Sequence, residues 1–547
     1  MFFYNLEKLG KLEEAADSRK NKGFEVQIMK TLFYGGNILT MEENLYTQAL
    51  LVKDDKILAV GPEADLRAMA GKCEEVNLYG ATLMPGFIDA HSHFSQMASA
   101  QLQISLEGAD TVEEMGRRIG LFLEKHKPAP GQWVTARDYD QAPPFPTLEE
   151  LDSFAPKNPL VIHHKSGHMG FLNTLGLEAL DITPQTQAPE GGRIETKDGK
   201  LTGYLEENAF VSYLKKIPMA PPEELLQAYA KAQEIYASYG ITTIQDGMIV
   251  RELLPLYHML IGRKLLKLDL VAYPDPDTYP QAREELGKAS RHLRIGGMKI
   301  FLDGSPQGRT AWMRKPYACG GDYRGYGTMT DDAVKQAMEK AARQETQLLA
   351  HCNGDAAAEQ FLSCLEAVEG EYPQLKDLRP VIVHGQLMGL DQLPRAAALG
   401  AMISFFVAHV YHWGDIHVKN FGMERASRIS PARSALEQGI PITFHQDAPV
   451  IQPDMLETLW CACCRRTRGG MVLGREEQIP VLDALKAITV NAAYQYFEEK
   501  DKGTLAPGKR ADFVILSQNP LEIPAENLRS IQVLQTWKDG QCIYTRQ

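Results

Sequence analysis

Between about residues 83 and 499, short apolar runs alternate with longer stretches of helical period. The helical pattern is clearest over Glu223–Tyr239, Thr330–Gln347, Ala356–Val368, Arg425–Gln438 and Val481–Glu499. Gly240-Ile241-Thr242-Thr243-Ile244-Gln245-Asp246 reads as a helix end followed by a strand. Repeated strand–helix units of this kind predict a parallel sheet with helices packed on it. The two ends of the chain read differently. Thr31–Tyr34, Asn37–Thr40, Ala49–Val52 and Lys56–Val60 are short strand-like runs, divided by Gly35-Gly36 and Asp54-Asp55 as turns. Ala511–Leu516 and Ile531–Trp537 match them at the far end, and Lys538-Asp539-Gly540-Gln541 predicts a hairpin turn into Cys542-Ile543-Tyr544. Neither piece is large enough to stand alone, so residues 26–82 and 500–547 are expected to pair into one discontinuous β-sandwich.

Two stretches fall outside this scheme. Residues 1–25 form a polar leader with no apolar core of its own. The span from about 94 to 203 is too long for one strand–helix unit and holds Pro143-Pro144, Pro146, Pro156, Pro159 and Gly191-Gly192. It is expected to be an inserted lid or subdomain. Within it, Leu160-Val161-Ile162-His163-His164 has the pattern of a second strand of the main sheet, while the remainder suits a small β element.

Composition narrows the class. At 547 residues the chain exceeds the ~250 typical of one α/β barrel. A net charge of −12 argues against nucleic acid or an anionic membrane as the main partner. No stretch reaches the ~18 apolar residues of a membrane span, and the N-terminus lacks a signal-peptide core, which points to the cytoplasm. The eight cysteines show no disulfide framework. Cys461-Ala462-Cys463-Cys464 lacks the second half of a zinc clip and reads as thiols on a helix face. Apolar faces on the terminal β domain are compatible with a homodimer, but no sequence feature sets the oligomeric state.

The chemistry starts at Met84-Pro85-Gly86-Phe87-Ile88-Asp89-Ala90-His91-Ser92-His93. Alternate side chains of a strand share a face, so His91 and His93 point the same way and suit a divalent metal. Alone, an HxH pair is as well explained by two solvated or core histidines. Here further ligand types recur, each ending its own apolar run: Lys299, His351, His384 and Asp447. Such residues at the ends of several parallel strands favour a closed (β/α)8 barrel of the TIM type, whose strand C-termini converge on one site.

Pro-Gly-Phe-Ile-Asp-Ala-His-Ser-His followed by Lys, His, His and Asp in this order resembles the amidohydrolase superfamily of metal-dependent hydrolases, and within it the amidohydrolase 3 group that includes N-substituted formamide deformylase-like proteins. The resemblance runs from about residue 26 to the C-terminus. It implies the barrel, the discontinuous β domain and a return to that domain at Gly503–Asp512. It implies that His91, His93, His351, His384 and Asp447 bind one or two divalent ions, zinc foremost. It also implies that Lys299 bridges two ions as a carbamate; the alternative is a lysine paired with Asp303 or another acid beside a single metal. A buried lysine tends to lose its proton, which carbamate formation requires. In such a site Asp447 acts as general base toward water and then as acid toward the leaving nitrogen.

Three further residues are read as substrate-binding. His168 in Ser166-Gly167-His168 and His409 in Phe406-Val407-Ala408-His409 resemble the group's histidines after strands two and seven. Arg309 in Gln307-Gly308-Arg309 suits a substrate carboxylate, or equally a surface ion pair. His163, His164, His412 and His417 are read as structural or solvated, and Arg137-Asp138-Tyr139-Asp140 as either an entrance segment or a plain turn. One departure stands out: His445-Gln446 occupies the place before Asp447 where the group usually has Gly-Ser. The expected activity is hydrolysis of a small-molecule N-acyl or N-formyl amide. A deaminase or cyclic-amide hydrolase on the same fold is the first alternative, a lyase or isomerase on the same scaffold another, and a non-catalytic regulatory or binding protein the alternative from another class.

Overall fold

The computed structural model describes residues 30–139, 145–164, 169–189, 191–214, 216–218 and 220–547. The two chain ends meet in one eight-stranded sheet. Strand Lys30–Leu39 pairs antiparallel with Tyr46–Lys53, which pairs with Lys56–Gly61. Gly35-Gly36 does not separate two strands as the sequence suggests; it forms an irregularity inside one, because pairing resumes at Ile38 after Tyr34. On its other side Lys30–Leu39 runs parallel to Glu74–Asn77 and Thr82–Pro85. Thr82–Pro85 pairs antiparallel with Phe513–Leu516, and Val533–Lys538 and Gln541–Thr545 complete the sheet. The last hairpin turns at Asp539-Gly540, both with positive φ. The sheet curls until its far edge meets the returning chain, with the Ile57 N–H on the Lys509 carbonyl at 2.9 Å. Phe33 fills the concave side against Phe513 and Trp537, with ring centroids 4.9 and 5.1 Å away.

The middle of the chain forms two wholly parallel sheets. One contains Phe87–Ile88, Ile241–Ile249, Asp269–Pro274 and Leu293–Ile295; the other contains Gly297–Phe301, Gln347–Cys352, Val381–His384, Met402–Phe405 and Ile442–Phe444. Gly296 alone divides them, packed so tightly that an added methyl group would fall 2.5 Å from the Tyr273 ring. At the opposite edges, the His93 N–H donates to the Ala448 carbonyl at 2.9 Å. Val381–His384, Met402–Phe405 and Ile442–Phe444 are largely apolar and wholly buried, as parallel strands covered on both faces are. Helices Pro222–Ser238, Asp331–Arg343 and Asp355–Glu369 lie where the 3.6-residue period places them.

Two predicted helices are broken. The Arg425–Gln438 pattern is divided into Met423–Ala426 and Ala432–Glu437, because Pro431 cannot continue a helix and Ser430 before it takes a positive φ of 46°. Val481–Glu499 becomes Val481–Ala487 and Val490–Gln495, interrupted at the β-branched run Ile488-Thr489-Val490.

Leu160–His164 is not a strand of the main sheets. It belongs to a separate six-stranded sheet, parallel to Val134–Tyr139 and antiparallel to Met169–Leu172. Its neighbour in the first parallel sheet would have been Phe87–Ile88, which instead pairs with Ile241–Ile249. A short apolar run looks the same in either sheet, so periodicity could not assign it. This insert has its own core of Met115, Ile119, Leu160, Ile162, Phe171 and Tyr204. Its last strand, Lys200–Glu207, continues directly into helix Asn208–Leu214, so the insert extends past residue 203. No helix among the described residues is long and apolar enough to cross a membrane.

Candidate metal centre

His91 and His93 follow the two-residue strand Phe87–Ile88, and Asp447 follows Ile442–Phe444 at the far edge of the other parallel sheet. His91 Nε2 and His93 Nε2 lie 3.4 and 3.1 Å from Asp447 Oδ1. One ligand atom from each of the three residues lies within 4.8 Å of the other two. Asp447 Oδ1 is buried and has no hydrogen-bond partner, although two imidazole nitrogens surround it. A buried carboxylate oxygen 3.1 and 3.4 Å from two imidazole nitrogens, with no hydrogen bond of good geometry to either, is a position that a cation can share.

The protonation of the group suits a cation. The His91 Nδ1 faces Gln245 Oε1 at 2.5 Å. The Gln245 amide is oriented by its nitrogen, which donates to the Ala90 carbonyl and the Tyr496 hydroxyl at 2.8 and 2.9 Å. Its oxygen therefore accepts, the His91 proton sits on Nδ1, and the Nε2 lone pair is turned toward Asp447. Burial holds the His91 imidazole neutral far below its ordinary pKa. Burial alone would push Asp447 up, but His93 beside it outweighs this and holds the carboxylate well below the usual range.

The remaining predicted ligands continue the same cluster. Lys299 Nζ lies 3.5 Å from His91 Nε2 and is fully buried, which brings its pKa down to about 7 although Asp447 pulls the other way. His384 Nε2 and His351 Nδ1 are 3.0 Å apart, and His384 Nε2 is 3.9 Å from Asp447 Oδ2. Burial also keeps both of these rings neutral, His351 at about 3. All six side chains singled out in the sequence thus form one connected group, five of them at or near the C-terminal ends of the parallel strands and Lys299 in the middle of Gly297–Phe301. Asp303 does not pair with Lys299; it accepts backbone N–H groups of Trp312, Asn353 and Gly354.

The predicted substrate residues are more scattered. His409 begins helix His409–Phe421, buried against Phe406 and Trp413, with its Nδ1 3.1 Å from His417 Nε2. His417 is accordingly a buried partner of His409, and His412 pairs with Glu457 at 2.8 Å. Arg309 is exposed on the loop after Gly297–Phe301, with Nη1 3.7 Å from the Cys319 sulfur. His168 lies outside the described residues. His163 packs on Phe210 in the insert, and Arg137 pairs with its neighbour Asp138. The thiols of Cys461, Cys463 and Cys464 are buried in helix Met455–Cys464, and all eight cysteines are free.

Three residues at the centre had no assigned role from sequence. Gln245 orients His91. Gly247 lies against the same ring. His445 sits fully buried between His91 and His384, with ring centroids 5.2 and 5.0 Å away. The only sequence signal for His445 was its unusual place beside Asp447.

Two imidazole nitrogens and an unpartnered carboxylate oxygen are a donor set that fits a divalent metal. The family model for the amidohydrolase family matches residues 74–544. The chain belongs to the amidohydrolase family. It is 28% identical over 556 residues to the N-substituted formamide deformylase of Arthrobacter pascens, covering 95% of this chain and 99% of that protein. It is 26% identical over 535 residues to protein LONG AFTER FAR-RED 3 of Arabidopsis thaliana, covering 94% and 91%. An uncharacterized metal-dependent hydrolase from Pyrococcus horikoshii shares the fold with a TM-score of 0.77 at 24% identity, over 91% of this chain and 99% of that one. As a member of this family the chain is a metal-dependent hydrolase.

Proposed function

We propose that this enzyme hydrolyses a non-peptide C–N bond, with an N-acyl or N-formyl amide as substrate and zinc as the metal. The observation that carries the reading is the convergence of His91 Nε2, His93 Nε2 and the unpartnered Asp447 Oδ1 at one point. A divalent cation held there supplies Lewis acidity toward the amide carbonyl and lowers the pKa of water to ~7. Asp447, ionised at neutral pH, takes a proton from the attacking water and passes it to the departing nitrogen. His351 and His384 are read as holding a second ion. Lys299, brought to a pKa of about 7 by burial, would help hold the metal as a carbamate, formed when its neutral amine adds carbon dioxide and releases a proton. We further read the two parallel sheets as one barrel, the curled terminal sheet as the β-sandwich, and the six-stranded insert as its lid. Eight free thiols support a reducing compartment.

Elemental analysis of protein purified without chelator, beside His91→Ala, tests the site. Two equivalents of zinc that fall sharply in the variant, together with release of free amine from N-formyl or N-acyl amides, are the expected result. One equivalent with ammonia release from an aminated ring would favour a deaminase. No bound metal in a folded protein would remove the hydrolytic reading.

A further inference from the structure

The side chains around His384 form a hydrogen-bonded row that leads away from the site. His384 Nε2 faces His351 Nδ1 at 3.0 Å, and His384 Nδ1 faces His445 Nε2 at 3.1 Å. His445 Nδ1 lies 2.8 Å from the Ser404 hydroxyl. His445 and Ser404 are both wholly buried, so neither ring nitrogen of His445 can turn to solvent. The neighbouring Gln446 points the other way, its amide nitrogen donating to the Asp454 carbonyl at 2.7 Å. His445, directly after strand Ile442–Phe444, thus faces the site, while Gln446 faces away from it.

A neutral imidazole has one N–H and one lone pair. For His384 to bind a metal through Nε2, its proton must sit on Nδ1, where it needs an acceptor. His445 Nε2 is that acceptor, and this forces the His445 proton onto Nδ1, where the Ser404 oxygen accepts it. The opposite order of protons is equally well bonded: Ser404 donates to His445, His445 to His384, and His384 Nε2–H to His351. In that order His384 presents a proton to the site, and its lone pair is spent on His445.

We propose that His445 is a positioning residue for the metal centre, which fixes the tautomer and orientation of His384 and relies on Ser404 to do so. This inference rests on the metal-centre reading above. Ligating histidines characteristically hand their second N–H to an outer partner, and loss of that partner costs ~10–100-fold in metal affinity. Here the outer partner is itself a histidine, so its own tautomer must be set one step further out. That is the part of the arrangement Ser404 performs.

The test is zinc affinity of the full chain by chelator competition, together with the visible spectrum of the cobalt-substituted protein. His445→Phe keeps an aromatic ring but offers no acceptor. It is expected to weaken zinc binding ~10–100-fold and to alter the cobalt bands. His445→Gln places an amide oxygen near the position of Nε2 and is expected to restore most of the affinity. A folded His445→Phe with wild-type affinity and spectrum overturns the proposal. If that variant does not fold, Ser404→Ala decides: the proposal requires weaker zinc binding, and unchanged binding and spectrum overturn it. His91→Ala separates the two readings. Weak binding in His91→Ala with normal binding in the folded His445→Phe removes only the role of His445; a wild-type chain that binds no zinc removes the metal centre and this inference with it.

Discussion

His93 Nε2 lies 3.1 Å from Asp447 Oδ1, and the backbone N–H of His93 donates to the carbonyl of the very next residue, Ala448, at 2.9 Å. The residues that follow the first and last parallel strands are therefore joined by main chain and brought face to face by their side chains. The side-chain approach makes no hydrogen bond of good geometry, since Asp447 Oδ1 remains unpartnered. The main-chain bond supplies the rigidity, and the side chains are left free to share a cation. Asp447→Asn should keep this main-chain link and the fold. It should lower metal content and reduce turnover by on the order of 10²–10⁴-fold, the usual weight of a general base. Circular dichroism, metal analysis and steady-state rates check this; a variant with full metal and undiminished rate would exclude Asp447 from proton transfer.

Lys299 gives a pH-dependent prediction. Burial lowers its pKa from 10.5 to about 7, so the amine is protonated below that value and neutral above it. Only the neutral amine combines with carbon dioxide. Recovery of activity when metal-free protein is given zinc should depend on bicarbonate, and the dependence should grow from about pH 6 to about pH 8. Lys299→Met should show no bicarbonate effect at any pH. Recovery by the wild-type protein that ignores bicarbonate throughout would exclude the carbamate.

The clustering of His91, His93, His351, His384 and Asp447 was legible because each falls at or just after the end of an apolar run, and a strand end is where a parallel α/β fold exposes chemistry; Lys299 lies in the middle of its strand. The hairpin at Asp539-Gly540 was legible for the local reason that both residues must take positive φ. Leu160–His164 was not, because a run of three apolar residues ending in two histidines carries no mark of which sheet it joins. The broken helices at Pro431 and Thr489 are local effects that a search for period alone passes over. Gln245 and His445 lie deeper still. Gln245 meets His91 across 154 positions of sequence, and His445 meets His384 across 61. Such partnerships follow from the order of strands within each sheet, which no local pattern encodes.

Gly247 offers a test of how tightly that arrangement is built. It lies in strand Ile241–Ile249, where a glycine otherwise weakens pairing. A methyl group added there would fall 2.5 Å from His91 Cε1 and 3.0 Å from Nδ1. His91 cannot simply retreat, because it is wholly buried and bonded to Gln245. Gly247→Ala should therefore displace the His91 ring and weaken zinc binding by roughly tenfold or more, in the range seen when ligand orientation is disturbed. The cost to the fold should be smaller, about 1–3 kcal/mol for overpacking. Chelator competition and denaturant unfolding measured on one preparation separate the two effects, and unchanged zinc affinity would show that the ring has room to move.

Asp269 connects the parallel strands to the terminal sheet, and its ionisation should govern acid stability. Its carboxylate meets Lys502, the Arg510 Nη1 at 2.8 Å, the Lys538 Nζ at 3.1 Å and the His292 Nδ1 at 2.9 Å. Arg510 and Lys538 belong to the returning end of the chain, and their other partners, Asp512 and Asp539, belong there too. Burial would raise the Asp269 pKa, but Lys502, Lys538, His292 and Arg510 together hold it well below the usual value. A carboxylate with a depressed folded pKa contributes stability that is fully present above its unfolded value of ~3.9 and is lost as pH falls through the folded value. The protein should accordingly hold its melting temperature down to about pH 4 as far as this group is concerned, and lose this contribution below it. Asp269→Asn leaves Lys502 and Lys538 as buried cations short of a partner and should cost about 3–5 kcal/mol at neutral pH. The gap between variant and wild type should narrow on acidification, because the wild-type carboxyl is then neutral as well. Unfolding midpoints measured from about pH 7 to about pH 2 check the sign. A gap that stays constant over that range would mean that the amide fails through shape or packing, and that the charge on Asp269 does not tie the chain ends to the catalytic sheets.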